Sequence, residues 1–386
     1  MNAPMTPPNL PTMKMKYRDP AQDKDAWARE LGISREAIDI YLGSDVLDLH
    51  VETYIWQRIF GYDMRKRHGQ GPFGARLFGQ VDLARVREAH ITGATWSIST
   101  NPLRGAESRA QTAVKNVARL KAILESVPDD VVVCKTLADY RAARAQGKHG
   151  AFLGIQGGNA LDKDLAALDL IDDTVLRVTV VHLYNSRLGI TSAPSRKRSS
   201  GLTALGKDYV KKLNAKRIFV DLAHIHRDGF FDALSVHDRS QPVIVTHTGV
   251  KAVCDSWRNL DDEQIKAVAA TGGTMGVIYQ MPFIGGESVQ NIVDHMEHIL
   301  RVAGEDFVSL GSDWDGMILP PRDMPTCLEL PRMVQVMLDR RWSAERIGKI
   351  LGGNFLRTVG HLRPTATTTA PTAAQSAAQS AAHAAG

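Results

Sequence analysis

Seven side chains of this sequence stand where a short apolar run stops: His50, Gln156, His182, His224, His247, Tyr279 and Asp313. Imidazoles and carboxylates are ligands for divalent cations. Four His, the terminal Asp and Glu52 are enough for one or two ions. In Asp48-Leu49-His50-Val51-Glu52, residues i and i+2 at a strand end point to the same side, so His50 and Glu52 can face one cation together. An isolated HxE is a weak signal; its place at the end of the first run strengthens it. His224 closes Phe219-Val220-Asp221-Leu222-Ala223, and His247 closes Val243-Ile244-Val245-Thr246. Each alone also fits a core histidine bonded to a carbonyl, whereas the pair on consecutive runs fits a shared metal. Asp313, followed by Trp314, Asp315 and Gly316, offers a carboxylate that can take a proton from a metal-activated water and deliver it to a leaving amine. His182, if neutral, can donate a hydrogen bond to a developing oxyanion. Arg258, in the loop after the His247 run, can grip a substrate carboxylate in a two-pronged contact, although spacing alone favours a surface ion pair. Tyr279 is a further candidate for substrate contact. His226 reads as a surface residue and Asp315 as a turn residue. The constellation points to a metal-dependent hydrolase.

Eight runs must position these groups: Val46–His50, Ile91–Thr100, Ala151–Gln156, Val175–His182, Arg217–His224, Pro242–His247, Gly273–Tyr279 and Phe307–Asp313. Amphipathic segments alternate with them, at Glu107–Ser126, Leu205–Leu213, Glu263–Ala270, Val289–Val302 and Ala344–Leu351. Strand followed by helix, repeated, is the pattern of an α/β fold with a parallel sheet. Eight such strands close a (β/α)8 TIM-like barrel, in which the interior is apolar and the metal centre lies at the strand C-terminal ends. The stretch Val51–His90 is too rich in Gly and Arg for one helix and is expected to lie as a loop and helix over the mouth. Residues 1–20, with prolines at 4, 7, 8 and 11, read as unstructured. Residues 21–362 form the catalytic body with an N-terminal helical extension, in which Ser34 is a helix cap. The segment 363–386 is a low-complexity tail with no Ile, Val or Phe to bury. No internal repeat is visible.

The chain has 386 residues, 44% of them hydrophobic, enough for one large core. Its net charge of +5 is mildly basic. The densest basic stretch, Arg196-Lys197-Arg198 and the lysines after it, lacks interleaved aromatics and reads as a solvated loop and helix face, not a nucleic-acid surface. Cys134, Cys254 and Cys327 are far apart and form no CxxC pair, which suits a reducing compartment. No secretory h-region and no run of the ~18 apolar residues needed to cross a bilayer is present. The expectation is a cytoplasmic protein with no membrane association.

At these residues the chain strongly resembles the membrane dipeptidase (renal dipeptidase) family. The resemblance covers about Val46 to Val359 and is densest in Gly201–Ile225, Pro242–Gly273, His295–Gly316 and Ile350–Val359. It implies a distorted (β/α)8 barrel with a two-zinc centre, hydrolysis of dipeptides including some with a C-terminal D-residue, and frequent pairing as homodimers. Residue by residue, it implies that His50 and Glu52, with Asp313 adjacent, hold one Zn2+, and that His224 and His247 hold the other. A hydroxide between the ions is the implied nucleophile, with His182 at the scissile carbonyl and Arg258 on the terminal carboxylate.

Two departures stand out. The family's HxD is here His50-Val51-Glu52, and its bridging Glu is Gln156 in Gly154-Ile155-Gln156-Gly157-Gly158. Two divalent ions ~4 Å apart repel by on the order of 4 kcal/mol even in bulk water, and a neutral amide offsets none of it. Three outcomes stay open: Glu52 bridges in place of Gln156, one ion is retained, or the centre is defective. The competing class is therefore a metal-poor descendant with other chemistry or a ligand-binding role.

Overall fold

Val, Ile and Leu dominate the apolar runs, and parallel strands of an α/β fold must be covered on both faces. The computed structural model describes residues 10–71, 73–194 and 201–364. Its strands are β1 (Leu47–Val51), β2 (Gly93–Ser99), β3 (Val131–Val133), β4 (His149–Gln156), β5 (Val175–Thr179), β6 (Phe219–Asp221), β7 (Ile244–Thr248), β8 (Thr274–Val277) and β9 (Val308–Leu310). All pair in parallel, in the order β2-β1-β9-β8-β7-β6-β5-β4-β3, and β2 also pairs with β4. Eight strands thus close into a ring with helices around it, the expected (β/α)8 barrel. Every residue of β1 and of β4 to β9 is buried.

The ninth strand, β3, lies outside the ring. It pairs with the lower half of β4, Val131 opposite His149 and Val133 opposite Ala151, while β5 takes the upper half from Leu153 to Gln156. Three residues are too few to show a period, so this strand is marked in sequence only by its three consecutive valines. Several runs stop being strand before their chemical residue: β5 ends at Thr179, β6 at Asp221 and β9 at Leu310. His182, His224 and Asp313 therefore sit on the loops that leave the strands.

The stretch after β1 lies over the barrel mouth as two helices, Tyr54–Phe60 and Leu83–Glu88, with irregular chain between. Asp315 fastens it to the loop after β9. Its carboxylate accepts from Thr53 Oγ1 at 2.7 Å and from the Gln80 amide at 2.9 Å, and its carbonyl accepts from Trp56 Nε1 at 2.7 Å. Asp315 is indeed a turn residue, with φ 64°, but it is fully buried. At the N-terminus Ser34 caps the helix Arg35–Gly43 by accepting from the Ala37 amide. Residues 10–19 contain no helix or strand, yet they are packed: Met15 is buried and Tyr17 donates to Asp130 at 2.5 Å. Proline bars a helix there without barring contact. Residues 1–9, 195–200 and 365–386, which include Arg196-Lys197-Arg198 and most of the expected tail, lie outside the described residues. Among the described residues no helix is long and apolar enough to cross a membrane.

Candidate active site

The C-terminal ends of β1, β4 and β7, with the residue after β1 and the loops leaving β6 and β9, bring six of the expected residues together. His50 Nε2 lies 3.3 Å from Glu52 Oε1 and 3.4 Å from Asp313 Oδ1. The His50 and His247 rings stack with centroids 4.0 Å apart. His224 Nε2 is 2.7 Å from His247 Nε2, and Gln156 Nε2 faces both, at 3.2 and 3.4 Å. His224 and Asp313 hold φ of 66° and 62°. That left-handed conformation costs a non-glycine residue on the order of 1 kcal/mol or more, and at both positions it turns the chain sharply where a ligand side chain is presented.

A cavity of about 280 Å³ opens above the cluster, lined by Glu52, His182, His224, Arg258 and Asp313 among others. His182 sits edge-on to His224 with centroids 4.7 Å apart, and burial holds its pKa down to about 4. The imidazole is therefore neutral near pH 7. Arg258 is buried rather than at the surface. One amino group donates to the His247 carbonyl at 2.6 Å, while its Nε has no partner. Burial lowers its pKa to about 10, so it stays a cation. Burial first, then the neighbouring Glu52, raises Asp313 well above the usual carboxylate range. Tyr279 is the residue the fold does not bring to the cavity. Ile278 and Gln280 line it. Tyr279 alternates to the other side, fully buried and edge-on to Trp314.

One central group has no counterpart in the sequence reading. Arg177, in the middle of β5, projects into the barrel and is fully buried. Its Nη2 lies 2.5 Å from His50 Nδ1 and also donates to Ser97 Oγ. Its Nη1 donates to Thr179 Oγ1 at 2.6 Å and to Gln156 Oε1 at 3.3 Å, with Asp221 Oδ2 at 3.4 Å. Gly154 makes the room: a Cβ there would lie 2.6 Å from Arg177 Nε. A charged residue within an otherwise apolar run was the available signal.

The donor set fits a divalent cation, unevenly. His224 Nδ1 and His50 Nε2 are buried without a hydrogen-bond partner. Ligand atoms of His50, His247 and Asp313 all lie within 4.8 Å of one another. His247 has the usual support of a ligand histidine: its Nδ1 lies 2.8 Å from Thr246 Oγ1, which itself donates to Asp221 at 2.7 Å. Nδ1 thus carries the proton and Nε2 is free to ligate. His50 is the reverse. A guanidinium can only donate, so His50 Nδ1 must accept and the ring proton moves to Nε2.

A parallel barrel whose mouth gathers imidazoles and carboxylates around one cavity defines a metal-dependent (β/α)8 hydrolase. The family model described as membrane dipeptidase (peptidase family M19) matches residues 35–372, and the chain belongs to that family. It is a metallo-dipeptidase-like hydrolase acting on peptide bonds. Solved structures share the fold. The probable dipeptidase PvdM from Pseudomonas aeruginosa superposes with a TM-score of 0.75 at 18% identity, over 86% of this chain and 98% of that one. A metallo peptidase from Rhodobacter sphaeroides, liganded with a phosphinate mimic of L-Ala-D-Ala, gives 0.73 at 23% identity, over 83% and 99%. An amidohydrolase from Pseudomonas aeruginosa gives 0.69 at 21% identity, over 84% and 98%.

Proposed function

We propose that the protein hydrolyses dipeptides, or closely related amides with a free carboxylate, at a centre that takes one Zn2+. His224 and His247 with Asp313 would hold the ion. The observation that carries the single-ion reading is the pair Arg177 and Gln156. A guanidinium against His50 Nδ1 and a neutral amide at position 156 leave the His50 side with a protonated Nε2 and no bridging charge. Bound at this centre, a divalent cation supplies Lewis acidity and a water acidic enough to attack near neutral pH.

The protein's own groups do the remainder. Asp313 takes the proton of the attacking water and passes it to the leaving amine nitrogen. Neutral His182 donates to the carbonyl oxygen as it gains charge. Arg258, oriented by the His247 carbonyl, receives the substrate's terminal carboxylate. Glu52 accepts from Ser99 Oγ beside His50, and burial raises its pKa above the ordinary carboxylate value. A second reading, a metal-poor descendant with a ligand-binding role, draws on the same buried guanidinium.

The test combines metal analysis with turnover. Apoprotein is titrated with zinc while a panel of L,L- and L,D-dipeptides is assayed. Activity rising to a plateau at one equivalent is the expected result. Two tightly held equivalents overturn the single-ion reading, and silence across the panel with metal fully bound overturns the hydrolase in favour of the second reading.

A further inference from the structure

A second cavity, of about 550 Å³, adjoins the catalytic one, and Ile55, Ser99, His182 and Leu183 line both. Its position follows from the order of the ring. β2 and β7 are four places apart among eight strands and so lie opposite each other. Arg258 is on the loop after β7. Ser99 ends β2, Thr100 follows it, and Arg58 is on the helix after β1, the neighbour of β2. The cleft therefore runs across the mouth from Arg258, over the cluster, to the second cavity. A substrate with its carboxylate on Arg258 and its scissile carbonyl at the centre extends its acyl portion into that space.

The chemistry of the space is one-sided. Arg58 and Arg104 line it, and among the described residues no Asp or Glu does. Among the described residues Arg58 donates one hydrogen bond, to the Ser99 carbonyl, and forms no ion pair; its guanidinium also lies over the Tyr54 ring, which leaves in-plane N–H groups for a ligand. Two further lining groups are more than nine-tenths buried and unpartnered: Asn116 Nδ2 and Thr100 Oγ1. The Asn116 oxygen already accepts from Tyr54 OH at 3.4 Å, leaving its amide hydrogens for something else. Buried donors without acceptors cost stability unless a ligand supplies the acceptor.

We propose that this cavity is the acyl-side subsite and takes an acyl residue bearing a carboxylate, such as the Glu or Asp of an acidic-residue dipeptide. The proposal rests on the hydrolase reading for its placement of the substrate. A carboxylate supplies two acceptor oxygens, enough for Arg58 and the Asn116 amide together.

The experiment compares kcat/KM for Glu-Ala, Gln-Ala and Lys-Ala in the zinc-loaded protein. Glu-Ala is expected to exceed Gln-Ala by about tenfold or more, the size of one charge-assisted hydrogen bond. Arg58→Gln brings that ratio near one, and Arg58→Lys restores part of it. Asn116→Asp keeps the acceptor for Tyr54 and turns the preference toward Lys-Ala. Equal turnover of Glu-Ala and Gln-Ala by the unaltered protein overturns the proposal, as does a preference that survives both Arg58→Gln and Asn116→Asp. If no dipeptide is cleaved, calorimetric titration with glutarate decides. Binding that weakens about tenfold in Asn116→Asp keeps the subsite while the hydrolase reading falls, and binding that is absent, or indifferent to that change, overturns the subsite.

Discussion

Gln156 and Arg177 act as a pair. The amide oxygen already accepts from Arg177 Nη1 and Thr179 Oγ1, so a carboxylate placed at 156 would join Asp221 in pairing with the guanidinium. Unit charges at 4 Å are worth about 4 kcal/mol at an effective dielectric of 20, enough to hold that ion pair together. Gln156→Glu alone is thus expected to leave zinc at one equivalent per chain. Gln156→Glu combined with Arg177→Met, which frees both the carboxylate and His50 Nδ1, is expected to reach two. Elemental analysis of desalted protein checks this, and two equivalents in the single variant would show that Arg177 is not the obstacle. His50, Glu52, His182, His224, His247 and Asp313 were legible because apolar runs end at or near them. Arg177 was missed because it sits inside a run of Val, Leu and Thr rather than at its end, with its charge as the one signal. Tyr279 was misplaced by a different cause: ending an apolar run does not say which way a side chain faces, and two residues past the end of β8 it packs on Trp314 while Ile278 and Gln280 line the cavity.

At the scale of elements, the loop-helix over the mouth depends on Asp315. Two side-chain hydrogen bonds to a buried carboxylate join Thr53 and Gln80 to the turn after β9. Asp315→Ala removes both and leaves the Gln80 amide with its acceptor gone. The expected cost is about 2–4 kcal/mol, read as a lower Tm, with faster proteolytic nicking between residues 52 and 82 as the sign that the damage is local. Unchanged nicking beside a lowered Tm would mean the carboxylate serves the barrel and not the loop. Sequence placed this loop over the mouth from its Gly and Arg content, which argues against one long helix, although both its short helices bury residues such as Tyr54, Trp56 and Leu83. It could not reveal the anchor, because Asp before Gly looks the same in any turn.

For the molecule as a whole, buried histidines away from the centre set its tolerance of acid. His149, at the start of β4, lies 2.8 Å from the Ile91 carbonyl through Nδ1 and accepts from Trp96 Nε1 through Nε2 at 3.1 Å. Burial lowers its pKa to about 4. The unfolded chain, with an ordinary histidine value near 6.5, binds that proton first. Stability is therefore full above about pH 6.5 and is lost as the pH falls toward 4, by roughly 3 kcal/mol from this one residue. His149→Gln is expected to flatten that slope, which urea denaturation at pH 4.5 and 7 measures; an equal fall in both proteins would place the sensitivity elsewhere. The closed ring was readable in outline from eight runs and their spacing. Its ninth strand was not, since β3 has only three residues and pairs with β4 alone.

The ring also has a seam. β1 hydrogen-bonds to β9, with Asp48 in register with Leu310. On the ribosome, roughly 260 residues must be made between those partners, which takes on the order of 13–50 s at 5–20 residues per second. Throughout that interval the free edge of β1 is an open template for a neighbouring nascent chain. Yield in a fast-translating host should then depend on chaperones that shield the growing amino-terminal half.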